Sequence, residues 1–191
     1  MRSSAPPWSE STVRAELLAL YAEADALADG WTCACTTGSS AEPQAPAPRC
    51  CHFGVTGREP YPTAVEIAEV RHAMRSAGIR ARDASARTRL PIVGDRGIAA
   101  HRGARPCPLL SPEGLCRVYP SRPFGCRTYF CAEAEGPGRG GRLARDLASA
   151  LGRRIADLSA RFDPKDPRPR PLTRALSEDP AGRQPRHNRK P

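Results

Sequence analysis

Apolar residues recur at three- and four-residue steps in three stretches of the chain, and each stretch predicts an amphipathic helix. The first runs from Ser9 or Ser11 to about Asp29, with Val13, Leu17, Leu20, Tyr21, Ala24, Leu27 and Ala28 on one face and Gly30 placed to end it. The second opens on Thr63 and Glu66, spaced as a capping box, and carries Val65, Ile67, Ala68, Val70, Ala73 and Met74 to about Ala77, with Gly78 as its stop. The third spans about Leu143 to Phe162, with Leu143, Leu147, Leu151, Ile155, Leu158 and Phe162 on one stripe, after a flexible joint at Gly136 to Gly141.

Elsewhere the periodicity breaks. Residues 1–8 read as a disordered lead-in, and residues 36–49 as a low-complexity surface loop of small residues and prolines. Within 79–106, Leu90 to Gly94 and Gly97 to His101 suggest a short β-hairpin near 90–101. The tail 163–191 has seven prolines in 29 residues and no apolar period, which predicts disorder. The expected fold is therefore a small, mainly α domain over 9–162, three helices around irregular loops.

Residues 107–131, CPLLSPEGLCRVYPSRPFGCRTYFC, hold Cys107, Cys116, Cys126 and Cys131 among prolines that lock φ and withhold backbone donors. Such a segment loses conformational entropy on ordering without gaining a hydrogen-bond ladder, and a bound metal would offset that loss. The chain has 8 cysteines in 191 residues. An even number invites disulfides, but the N-terminus lacks the apolar core of a signal peptide and no run approaches the roughly 18 apolar residues of a membrane span. The expected compartment is cytoplasmic and reducing, where clustered thiols bind metal.

The residues Cys107-Pro108-Leu109-Leu110, Gly114, Cys116, Tyr119, Arg122-Pro123, Cys126-Arg127 and Tyr129 resemble the second half of the YkgJ-type cysteine-cluster family, described as a zinc- or iron-chelating domain. Cys33, Cys35 and the pair Cys50-Cys51, followed by the helix at Glu66-Ile67, stand for its first half. The resemblance covers about residues 31–131 and implies metal chelation by a cluster of cysteines.

Zn²⁺ takes four ligands in a tetrahedron, commonly Cys₄ or Cys₃His. The candidate ligands are Cys33, Cys35, Cys50, Cys51, Cys107, Cys116, Cys126 and Cys131, enough for two four-sulfur sites or for one site with spare thiols. On an extended backbone Cys50 and Cys51 would point apart, each serving a different role. Cys33 and Cys35 are the first candidates for buried core instead, because a reduced cysteine is itself a small hydrophobe. His52 is the best non-cysteine ligand candidate, and Arg49, Arg117 and Arg127 are placed either to donate to sulfur or pair with Glu113, or to stand exposed on their loops. Softness of sulfur admits zinc, iron or an iron–sulfur cluster, although ferredoxin and zinc-ribbon spacings are absent.

The alternative function is thus an iron–sulfur redox protein. Nucleic-acid binding ranks lower: the net charge is +10, with only Lys165 and Lys190 as lysines among 30 basic residues, but the arginines are scattered and aromatics make up only 5%. No nucleotide-binding loop, serine-nucleophile elbow or zinc-protease helix is present, so no catalytic residue is assigned.

Overall fold

The computed structural model describes residues 8–27, 32–33, 49–79, 105–111, 114–128, 134–135 and 145–177. It is mainly helical. Helix α1 spans Thr12–Leu27, α2 Phe53–Thr56, α3 Ala64–Ser76, α4 Phe124–Arg127, α5 Arg145–Phe162 and α6 Leu172–Ser177. Strands β1 (Thr32–Cys33) and β2 (Ala134–Glu135) pair antiparallel, with Cys33 opposite Ala134. The three long helices fall where the apolar periodicity put them.

Helix α3 lies at the centre because its apolar residues occupy two faces. Val65 joins Leu17, Leu20, Tyr21 and Ala24 of α1 and Leu151, Ile155 and Leu158 of α5 in one buried cluster. Ile67, Val70 and Met74 join Phe53, Ile79, Leu109, Val118, Leu172, Ala175 and Leu176 in a second, against which Cys107 and Cys116 pack. Helices α1 and α5 run antiparallel, as their ion pairs show: Glu16 meets Arg161 while Glu23, seven residues on, meets Arg154. These exposed pairs set register more than they stabilise. Leu158 is fully buried, so Leu158→Ala is expected to cost about 3 kcal/mol, read as a lowered urea midpoint.

The capping box at Thr63 forms, with the Glu66 carboxylate accepting from the Thr63 N–H at 2.8 Å. Helix α3 ends on Ala77 and Gly78: the Ile79 N–H returns to the Met74 carbonyl at 2.8 Å, and Gly78 takes the positive φ of 66° that this closure needs.

One expectation fails. Residues 163–177, expected to belong to a disordered tail, are ordered and end in α6. The Arg170 and Leu172 N–H groups donate to the Pro62 and Pro60 carbonyls, at 3.2 and 3.0 Å. Glu59 then caps α6 through the Thr173 N–H and hydroxyl, at 2.8 and 2.6 Å. Prolines here suit an extended strap, and Leu172, Ala175 and Leu176 supply the apolar anchor. The hairpin expected near 90–101 lies outside the described residues, as do the lead-in 1–7, most of the 36–49 loop and 178–191.

Candidate metal centre

Two loops carry three of the described cysteines, and backbone hydrogen bonds fix both. The segment 51–53 pairs antiparallel with 105–107: the Phe53 N–H donates to the Arg105 carbonyl at 3.0 Å, and the Cys107 N–H to the Cys51 carbonyl at 2.6 Å. Arg105 pays for the junction with a positive φ of 36°, unusual for a residue with a Cβ. Cys107 then opens a tight loop. The Leu110 N–H bonds the Cys107 carbonyl at 3.0 Å, Ser111 bonds Leu115 at 2.8 Å, and Arg117 bonds Leu109 at 2.9 Å, so Leu110 and Cys116 bridge across its base. Gly114, at φ 79°, makes the turn at its tip. A 3₁₀ turn at Tyr119–Ser121 and Pro123 lead into α4, whose third residue is Cys126.

The described thiols form no disulfide among themselves; Cys50, Cys51, Cys107, Cys116 and Cys126 are free. Burial raises the Cys107 thiol to about 12, with further upward pressure from Cys116, Cys50 and Glu59. Cys116 is raised by burial and by Cys50, against the lowering influence of Arg122. Cys126 is raised by the protein packed around its sulfur and then by Cys107, Cys116 and Cys50, although the residue as a whole is exposed. Cys107, Cys116 and Cys126 thus each feel the charge of Cys50, and Cys126 that of Cys107 and Cys116 as well, which puts these sulfurs in one neighbourhood. Among the described residues, no group of three or more His, Cys, Asp or Glu side chains is gathered tightly enough to hold a metal ion.

Two backbone amides favour thiolates in this neighbourhood. The Leu109 backbone amide lowers the Cys107 thiol, and the Val118 amide that of Cys116, each from two residues on. The repetition follows from each cysteine sitting at the start of a turn. Thiols are soft donors, the type that zinc and iron take.

The other sequence candidates are distributed differently. Cys50 and Cys51 lie in a 3₁₀ turn, Arg49–Cys51, not on an extended backbone. The adjacent Cys51, ahead of burial, drives the Cys50 pKa far up. Cys33 is placed by its backbone in β1, while Cys35, Cys131 and Glu113 lie outside the described residues. His52 is buried, with its backbone bridged to Pro106. Arg117 is exposed.

Arg127 does not turn toward sulfur. It is 4% exposed, donates to Asp25 and to the Pro120 and Arg122 carbonyls, and stacks over the Tyr21 ring at 4.1 Å. Arg122 likewise meets Asp25, at 3.1 Å, and lies over Tyr119. Both arginines tie the cysteine segment to α1.

The residues that sequence reasoning missed are acidic. Glu69 of α3 is fully buried and receives the Trp8 Nε1–H at 2.9 Å, the Arg14 Nε–H at 2.8 Å and the Ser121 hydroxyl at 2.8 Å. Burial alone would raise its pKa, but these donors, Arg14 first, hold it below the usual carboxylate value of 4.5. A folded pKa below the unfolded one means stability that is present above the unfolded value and lost as pH falls through the folded one. Glu69→Gln is expected to cost about 3 kcal/mol at pH 7, with the gap to wild type in urea midpoints narrowing below about pH 4. A gap that stays constant down to pH 2.5 would contradict this.

Arg14, Glu69, His72, Ser76, Arg117 and Ser121 help line a shallow, solvent-open depression of about 370 Å³ that none of the described thiols lines. No helix among the described residues is long and apolar enough to cross a membrane. In comparisons with known proteins, no family model, curated protein or solved structure matches the chain.

Proposed function

We propose that this protein chelates a single zinc or iron ion through Cys50, Cys107, Cys116 and Cys126, in a reducing compartment such as the cytoplasm. One observation carries the reading: backbone pairing sets Cys107 against Cys51, Cys116 bridges back across the same loop onto the same apolar cluster, and Cys50, Cys107 and Cys116 all act on the Cys126 thiol. The resemblance to the YkgJ-type cysteine-cluster family agrees with it. A metal would displace the thiol protons, draw the sulfurs together and convert its binding free energy into folding free energy for loops that lack regular structure. Cys51 would serve Cys50 as its neighbour in the turn, outside the ligand set. Cys33, Cys35 and Cys131 are left for a second site or for the core.

The test is the metal content and visible spectrum of full-length protein purified anaerobically. About one equivalent of zinc, or of iron without acid-labile sulfide, is the expected result. Iron with stoichiometric labile sulfide and visible bands would replace it with the iron–sulfur redox reading. Metal-free protein that takes up neither ion would remove both.

A further inference from the structure

Resting on the chelation reading, the geometry points to Glu66 and Glu69 of α3 as positioning residues that set where the metal-binding cysteines Cys116 and Cys126 stand. Between Cys116 and Cys126 the chain has one 3₁₀ turn, two prolines at 120 and 123, and the start of a four-residue helix. Such a segment cannot hold its own course by a hydrogen-bond ladder. Two carboxylates, three residues apart on one face of α3, hold it from outside.

Glu69 takes the Ser121 hydroxyl at 2.8 Å, five residues after Cys116. Glu66 takes the Phe124 N–H at 2.7 Å, the first amide of α4 and two residues before Cys126. Each carboxylate is also fixed at its other donors. Glu66 receives the Thr63 N–H and hydroxyl and, more distantly, the Tyr21 hydroxyl at 3.4 Å. Glu69 receives Trp8 and Arg14. Each is almost completely buried, Glu66 at 3% exposure and Glu69 at 0%.

A carboxylate, which only accepts, can serve several donors converging from different elements; an amide would turn two donors of its own against some of them. The role is backbone placement. Residues that orient ligands in this way typically change metal affinity 10–100-fold when removed.

The experiment titrates Co²⁺ into the anaerobic full-length chain and reads its thiolate charge-transfer and d–d bands. Glu66→Leu and Glu69→Leu are expected to weaken Co²⁺ binding at least about tenfold and to change the shape of the d–d envelope at saturation. Glu66→Gln, which keeps an oxygen for the Phe124 N–H, should fall between leucine and wild type. Ser121→Ala, which removes only the hydroxyl, should weaken binding in the same direction if the leucine variants do not fold. Glu23→Ala, which removes only the exposed ion pair with Arg154, should leave the saturated spectrum unchanged. Wild-type spectrum and affinity in Glu66→Gln, Ser121→Ala and the leucine variants would overturn the assignment while leaving chelation intact. A wild-type chain that binds no Co²⁺, Zn²⁺ or iron would instead remove the chelation reading, and this inference with it.

Discussion

Cys126→Ser and Cys107→Ser are each expected to abolish the proposed zinc or iron binding and to lower the thermal midpoint measured in the presence of the metal. Serine keeps the size of the side chain but replaces a soft thiolate with a hydroxyl that holds its proton at neutral pH. With three thiols left, an ion must complete its shell with water, and the folding free energy that the metal supplied shrinks accordingly. Cys51→Ser should act differently. It exchanges the thiol beside Cys50 for a hydroxyl, still able to hydrogen-bond, and leaves Cys50, Cys107, Cys116 and Cys126 in place. Metal stoichiometry should therefore be retained in that variant. Equal loss in all three variants would mean that the assignment of one four-sulfur set is wrong.

The second large effect concerns α6. Leu172→Ala combined with Leu176→Ala should destabilise the protein by about 5 kcal/mol, because both side chains are almost completely buried against α3 and the Cys107–Val118 loop. That is a large share of the 5–15 kcal/mol that holds a typical domain together, so the double variant should show a broad, early thermal transition. It should also bind metal more weakly, since Leu109 and Val118 share that cluster and Cys107 and Cys116 pack on it. A double variant that melts like wild type would show that α6 is not part of the domain in solution.

The contrast between what could and could not be read ahead of the structure follows from range. The three long helices were legible because a repeating apolar face leaves a local signature; Val13 to Leu27 and Leu147 to Phe162 announce themselves within a few turns. The Thr63–Glu66 capping box was legible for the same reason. Helix α6 was not. LTRALS is too short for a period to emerge, and its flanking prolines mimic a disordered tail. What orders it is non-local: the Pro60 and Pro62 carbonyls and Glu59, more than 100 residues away in sequence.

The site divides along the same line. Cysteines could be nominated from composition and spacing, but their grouping could not. The Cys50–Cys51 contact depends on a 3₁₀ turn that the pair itself does not encode, and Cys107 is set against Cys51 by pairing between segments more than 50 residues apart. From its place beside Cys126, Arg127 reads equally as a donor to sulfur, a partner of Glu113 or an exposed loop arginine; the nearer presence of Asp25, Tyr21 and two carbonyls decides its direction. Glu69 carried only one faint signal, an acidic residue within the apolar face of a helix that buries it. Such a residue has to find donors, and Trp8, Arg14 and Ser121 are those donors.

The most direct measurement is thiol footprinting of the full-length chain with and without one equivalent of Zn²⁺, read peptide by peptide by mass spectrometry after brief alkylation. Zinc is expected to protect Cys50, Cys107, Cys116 and Cys126 together and to the same extent. Alkylation at those four positions that proceeds equally with and without zinc would contradict it.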